Sequence, residues 1–313
     1  MDAAIEAEGL VKHFGEVRAV DGVDLRVAPG TVYGVLGPNG AGKTTVVRML
    51  TTTLRPTAGR ATVLGIDVAA HPARVRAVIG LAGQYAAVDE HLTGRENLRL
   101  VGKLTHLPTE QIRRRSDELL ALFSLADAAD RPTRTYSGGM RRRLDLAASL
   151  VHAPPVLFLD EPTTGLDPAS RKDLWGVIEG LVGEGTTVLL TTQYLEEADR
   201  LAQRIAVIDR GLVIAEGTSA ELKAQLGSTV VELGFADRDA RLLAATALAG
   251  LGPADAPVAS ALQLTTTNGP ALLGEALRVL TAEGIEPTAI AVREPSLDDV
   301  FLALTGHTAE ERP

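Results

Sequence analysis

Hydrophobic and polar residues recur with two different periods along this chain, and the switches between them predict its elements. Thr31-Val32-Tyr33-Gly34-Val35-Leu36 is an apolar run of strand length, whereas Val46, Val47, Met49 and Leu50 follow at helical spacing. Residues 156–159, 187–190 and 205–208 repeat the first kind, near-continuous apolar runs that suit strands buried on both faces. Pro108, Pro132 and Pro154-Pro155 punctuate the intervening region, within which 111–126 has helical periodicity. Strands alternating with helices predict a layered α/β core.

After Gly227 the pattern changes. Residues 230–233, 262–264 and 290–292 read as strands, with helices over 241–249, 271–282 and 297–304. The stripe Val300, Phe301, Leu304 reads as core. The predicted division is therefore 1–226, with a helical insert over about 85–153, and a small α/β domain at 227–313. The small domain carries no phosphate or metal motif, so it reads as a packing or dimer-stabilising module, or as a regulatory or docking one.

Composition narrows the classes. At 313 residues the chain accommodates a large and a small domain. Its 45% apolar and 23% charged residues are those of a globular protein. A net charge of −9 argues against general binding to nucleic-acid phosphates, so no nucleic-acid partner is expected. Cysteine is absent, which excludes disulfide scaffolds, thiolate metal sites and cysteine nucleophiles. The six histidines are scattered without ligand spacing. The N-terminal residues lack the basic start and apolar core of a secretory signal, and no apolar run approaches the roughly 20 residues of a membrane span. A cytoplasmic location is expected, with any membrane role exercised through a partner.

Chemistry enters at Gly37-Pro38-Asn39-Gly40-Ala41-Gly42-Lys43-Thr44-Thr45, which fits the phosphate-loop pattern G-x-x-x-x-G-K-[ST] between a strand and a helix. Unpaired N–H groups at the helix start favour an anion, Gly37, Gly40 and Gly42 let the backbone wrap phosphates, Lys43 reaches the β/γ oxygens, and the Thr44 hydroxyl suits Mg²⁺. Val156-Leu157-Phe158-Leu159-Asp160-Glu161-Pro162 supplies two acids at the end of a buried strand. The natural division has Asp160 facing Mg²⁺ and Glu161 serving as general base for water. Tyr136-Ser137-Gly138-Gly139-Met140 is a second candidate helix start, with Ser137 as cap and glycines exposing N–H groups. Arg141, Arg142 and Arg143 after it read equally well as a solvated helix face.

In this order, with Thr164-Gly165-Leu166-Asp167 and Thr191-Thr192-Gln193, these motifs resemble the ATP-binding subunit of an ABC transporter over residues 3–225. The resemblance implies a P-loop core with an inserted helical subdomain, ATP as nucleotide and Mg²⁺ as its metal. It implies that Asn39 and Thr45 belong to the nucleotide contacts and that Gln84 touches Mg²⁺ and faces the membrane partner. Phe14 would stack on adenine; by its residue type alone it is equally a core position. Two copies would pack head to tail, Ser137 and Gly139 of one closing over Lys43 of the other, with Asp167 along the seam. The segment 192–199 and the tail 293–302 are similar to the daunorubicin-resistance branch, in which a separate membrane permease forms the efflux path. Export of a lipophilic drug, from a position peripheral to the inner membrane face, is the implied function. Import, or a nucleotide-switched role without transport, is the alternative.

Two positions depart from the pattern. Met140 stands where glutamine is usual, and Gln193 where a switch histidine is usual. A glutamine amide still donates to a γ-phosphate but carries no charge, so hydrolysis is expected to persist without a step from histidine protonation.

Overall fold

The computed structural model describes residues 3–83, 88–225, 229–251, 254–255, 261–266 and 268–305. It divides into two compact units, Met1–Ile214 and Ala215–Pro313.

In the first unit, β1 (Ile5–Phe14) and β2 (Val17–Val27) form a hairpin, and β3 (Val32–Leu36) runs through the loop into α1 (Lys43–Leu50). There follow β4 (Ala58–Val63), β5 (Ile66–Asp67), α2 (Pro72–Arg76) and β6 (Ile79–Ala82). The helical insert contains α3 (Gly94–Leu104), α4 (Thr109–Leu122) and α5 (Gly138–Ser149). The core resumes with β7 (Val156–Asp160), α6 (Pro168–Gly183), β8 (Thr187–Thr192), α7 (Leu195–Leu201), β9 (Arg204–Asp209) and β10 (Leu212–Gly217).

These strands build two sheets. One has the order β2-β1-β4-β5 and is antiparallel; the other has the order β10-β9-β3-β8-β7-β6. Within the second, β9, β3, β8, β7 and β6 pair in parallel. Every residue of β3, β7 and β8 is buried, as the continuous apolar runs require of strands covered on both faces. Alternate residues serve alternate cores. Tyr33, Val35, Phe158 and Leu189 pack with α1 and the antiparallel sheet, while Val32, Leu157, Leu159 and Leu190 pack with the insert and α6. All the parallel strands present their C-terminal ends at one rim, where ligands of such sheets bind.

The second unit has α8 (Ser219–Ala224), β11 (Thr229–Gly234), α9 (Arg238–Leu248), β12 (Ala254–Asp255), β13 (Ala261–Thr266), α10 (Gly269–Ala282), β14 (Ala289–Arg293) and α11 (Leu297–Thr305). Its antiparallel sheet has the order β12-β13-β11-β14, with Val231, Leu233, Leu262 and Leu264 packed against Ala244, Leu248, Ala276 and Leu280 of the helices. Val300 and Phe301 are buried as their stripe predicted, whereas Leu304 is exposed near the end of the last helix. That last helix is held by an ion pair: the Arg293 guanidinium donates to both Asp299 oxygens at 2.6 and 2.9 Å, and Ser296 adds its N–H and hydroxyl.

Candidate nucleotide site

The turn between β3 and α1 is fixed by close backbone contact. A Cβ on Gly37 would lie 2.2 Å from the Ile208 carbonyl oxygen, and one on Gly42 2.5 Å from that of Ala19. Gly42 also has φ +109°, a conformation open to glycine. As the N-cap of α1 it offers no side-chain acceptor, so no cap competes with an anion for the helix start. The resulting cavity, about 140 Å³, is lined by Asn39, Gly40, Gly42, Lys43, Thr44, Thr45 and Glu161 among others.

Lys43 is only 3% exposed. Its Nζ donates to the Gly37 and Pro38 carbonyls at 2.8 and 3.1 Å and pairs with Glu161 Oε1 at 3.1 Å. A buried ammonium with three oxygen partners is held at the mouth of its own loop. Thr44 Oγ1 donates to Asp160 Oδ1 at 3.1 Å, and Thr191 Oγ1 donates to the same oxygen at 2.6 Å. Two of the three residues expected to face Mg²⁺, Thr44 and Asp160, are thus in hydrogen-bond contact. Among the described residues no group of three His, Cys, Asp or Glu could hold a metal ion alone. One carboxylate, one hydroxyl and nucleotide oxygens are the donor set that suits Mg²⁺, so the residues fit it.

Glu161 is buried and has φ +51°, an uncommon backbone state for a residue with a side chain. The strain is held from one side by Thr191, whose carbonyl and hydroxyl oxygens both accept from the Glu161 N–H at 3.1 Å. It is held from the other by Arg142. This residue is 7% exposed, and its guanidinium donates from Nε to Pro162 O at 2.8 Å and from Nη2 to Asp160 O and Glu161 O at 3.1 and 2.9 Å. Nη1 donates to Gly83 O and pairs with Asp145 at 3.8 Å. Burial pushes the guanidinium below its ordinary value, against the pull of Asp145, Asp160, Glu197 and Glu161. Arg141 and Arg143 likewise spend a hydrogen bond on the carbonyls of Tyr136 and Phe123. The solvated-face reading of this run is therefore corrected, because each guanidinium finds backbone acceptors that contiguous sequence cannot reveal.

Gln193 follows β8 directly, beside the loop, since the Gly37 N–H donates to Thr192 O at 3.3 Å. Nearby, Glu197 is fully buried, accepts from Trp175 Nε1 at 2.9 Å, and has its carboxyl raised, chiefly by burial. Phe14 is 50% exposed at the end of β1 with the Lys12 ammonium 5.3 Å from its ring centre, so the core reading of this aromatic is excluded. Gln84 lies outside the described residues.

Ser137, Gly139 and Asp167 do not line the cavity. Ser137 caps α5, its oxygen accepting from Met140 N at 3.2 Å, and the turn is exposed. Asp167 caps α6, accepting from Ser170 N and Ala169 N at 2.9 and 3.1 Å, bonds that hold its carboxyl below the usual range. Sequence reasoning missed Thr191, Arg142 and Glu197 as parts of the site. A hydroxyl closing an apolar strand beside the acidic one was the only local signal, and it pointed to Thr191.

A family model described as ABC transporter matches residues 20–164. The daunorubicin resistance ATP-binding protein DrrA2 of Streptomyces coeruleorubidus is 55% identical over 310 residues, 98% of this chain and 96% of that protein. The Nod factor export ATP-binding protein I of Ralstonia nicotianae is 42% identical over 310 residues, covering 96% of this chain and 94% of its own length. Among solved structures, a dimeric ATP-binding cassette in a post-hydrolysis state with ADP and Pi aligns with a TM-score of 0.64 at 25% identity. It spans 68% of this chain and 98% of the cassette.

Proposed function

The chain belongs to the ATP-binding subunits of ABC transporters and is an ATPase of that family, and on this premise we propose that it powers export of a lipophilic drug through a separate membrane permease. The observation that carries the first half is the convergence of Lys43, Thr44 and Glu161 on one cavity, with Asp160 hydrogen-bonded to Thr44. Support for the second half comes from relatives named for drug resistance and for export, aligned over nearly the full chain.

The proposed division of labour follows from the contacts. N–H groups of the loop over 39–45 bind the phosphates, and Lys43 exchanges Glu161 for the β/γ oxygens. Thr44 and Asp160, with Gln84, would hold Mg²⁺, which when bound neutralises charge on the phosphoryl oxygens. Glu161 takes the proton of the attacking water, Gln193 donates to the γ-phosphate, and Phe14 stacks on the base with its free face.

Ser137 and Gly139 act on a second copy's nucleotide, with Asp167 along the seam. A Cβ on Gly138 would meet nothing within 4 Å, and one on Gly139 only side-chain atoms at ordinary contact distance, Leu166 at 3.5 Å and Ser170 Oγ at 4.0 Å. Packing inside this chain therefore gives no steric need for these glycines, which favours close approach by something outside it. No described helix is long and apolar enough to cross a membrane, so contact with the bilayer face would run through the permease.

The test is ATP-driven daunorubicin accumulation in inside-out vesicles carrying this chain and the membrane protein that co-purifies with it, with Glu161→Gln as control. Accumulation that requires ATP and vanishes in the control is expected. Vesicles that hydrolyse ATP fully yet accumulate no lipophilic drug would sink the export reading.

A further inference from the structure

We propose that Arg142 is a positioning residue that links this chain's two half-sites, the Asp160–Glu161 strand end and the Ser137 turn, so that closure at one nucleotide is felt at the other. The inference rests on the head-to-tail pairing proposed above.

A guanidinium has five N–H donors in a rigid fork. Those of Arg142 are directed at the carbonyls of Gly83, Asp160, Glu161 and Pro162 and at the Asp145 carboxylate. The acceptors come from three places: the residue preceding Gln84, the strand end with the base, and α5 itself. Arg142 lies five positions beyond Ser137, roughly 7 Å along the helix axis. A shift of α5 as its N-terminus engages a neighbouring nucleotide therefore pulls directly on the carbonyl of Glu161. That carbonyl belongs to the one residue of the strand end with a left-handed backbone, φ +51°, which persists because its two sides are held. Letting go of one side frees the base to leave its position without altering the phosphate loop.

Lysine cannot replace the fork, since three donors on one nitrogen reach fewer of these divergent oxygens. In full-length Arg142→Lys, turnover should fall roughly tenfold to a hundredfold, as expected for losing charge-assisted hydrogen bonds. Nucleotide affinity should stay close to that of the parent, while the melting temperature falls by the few degrees expected of carbonyls left without a donor. Arg142→Gln, with two donors on one nitrogen and no charge, should lose at least as much turnover as lysine and substitutes if the lysine variant fails to fold.

The decisive measurement mixes two chains, one with Lys43→Ala and one with Ser137→Ala, so that one composite site retains both groups. Recovery of turnover on mixing tests the pairing itself, and its absence would overturn pairing and linkage together. Given recovery, Arg142→Lys is placed on either chain in turn. Linkage predicts a loss from both placements, including the Lys43→Ala chain that contributes only its Ser137 turn. An unchanged rate from that placement would reduce Arg142 to a local support of its own Glu161 and overturn the proposal. So would a loss of nucleotide affinity in the homodimer as large as the loss of turnover.

Discussion

The N-termini of α1 and α5 are both glycine-rich turns, yet they are finished in opposite ways. The α1 turn has no side-chain cap and keeps a buried lysine at its first position. The α5 turn is capped by its own serine and faces outward, and the three arginines that follow are committed to backbone carbonyls of the same chain. One turn therefore has the charge and the concavity to take an anion by itself. The other offers N–H groups beside arginines already bonded to backbone carbonyls, which suits our proposal that it meets a phosphate held by another copy.

The largest test of this contrast is Lys43→Ala, which should abolish turnover by at least roughly a thousandfold and weaken nucleotide binding by the single chain, read by equilibrium titration. Ser137→Ala should leave that single-chain affinity intact while lowering turnover roughly a hundredfold. It should also cost about 1 kcal/mol of stability through the lost cap. If Ser137→Ala weakened nucleotide binding as Lys43→Ala does, the two turns would not differ in kind. Gln193→Ala should lower the single-turnover rate by roughly tenfold, the worth of one hydrogen bond, and the parent's rate should show no histidine step near pH 6.5. An unchanged rate would remove Gln193 from the γ-phosphate.

The smallest expected effect on turnover lies outside both turns. Burial would raise the Asp299 carboxyl, but hydrogen bonds from Arg293 and Ser296 outweigh it and hold it low. With its folded pKa depressed, Asp299 stabilises the second unit fully above about pH 4 and loses that contribution as pH falls through the lower folded value. Asp299→Asn should destabilise that unit by about 1–3 kcal/mol at neutral pH and flatten its acid transition, with turnover of the chain nearly unchanged. A pH-dependent melting series would show it.

How legible all this was in the sequence follows from locality. The phosphate loop, the acidic strand end and the serine turn are contiguous, and their flanking periodicity identified them. So were the strands whose burial on both faces left unbroken apolar runs, such as 156–159. Arg142 was not legible, because its acceptors lie 18 to 59 positions away on other segments. Phe14 was ambiguous until its strand was seen to end at an exposed hairpin opposite Val17. Leu304 obeyed a helical stripe that outran the core it covers, and the two-residue strand β12 is too short to leave any period.

The left-handed backbone at Glu161 restricts what can occupy that position before chemistry is considered. Asparagine tolerates such a torsion better than glutamine, and β-branched residues tolerate it worst. Of two variants that both delete the carboxylate, Glu161→Asn should melt above Glu161→Gln by a margin on the order of 0.5–1 kcal/mol, and the reverse order would mean the torsion is relaxed in solution. Substitutions at this residue thus report on geometry as well as on proton transfer, and a silent enzyme is best compared between replacements that sit in the same conformational basin.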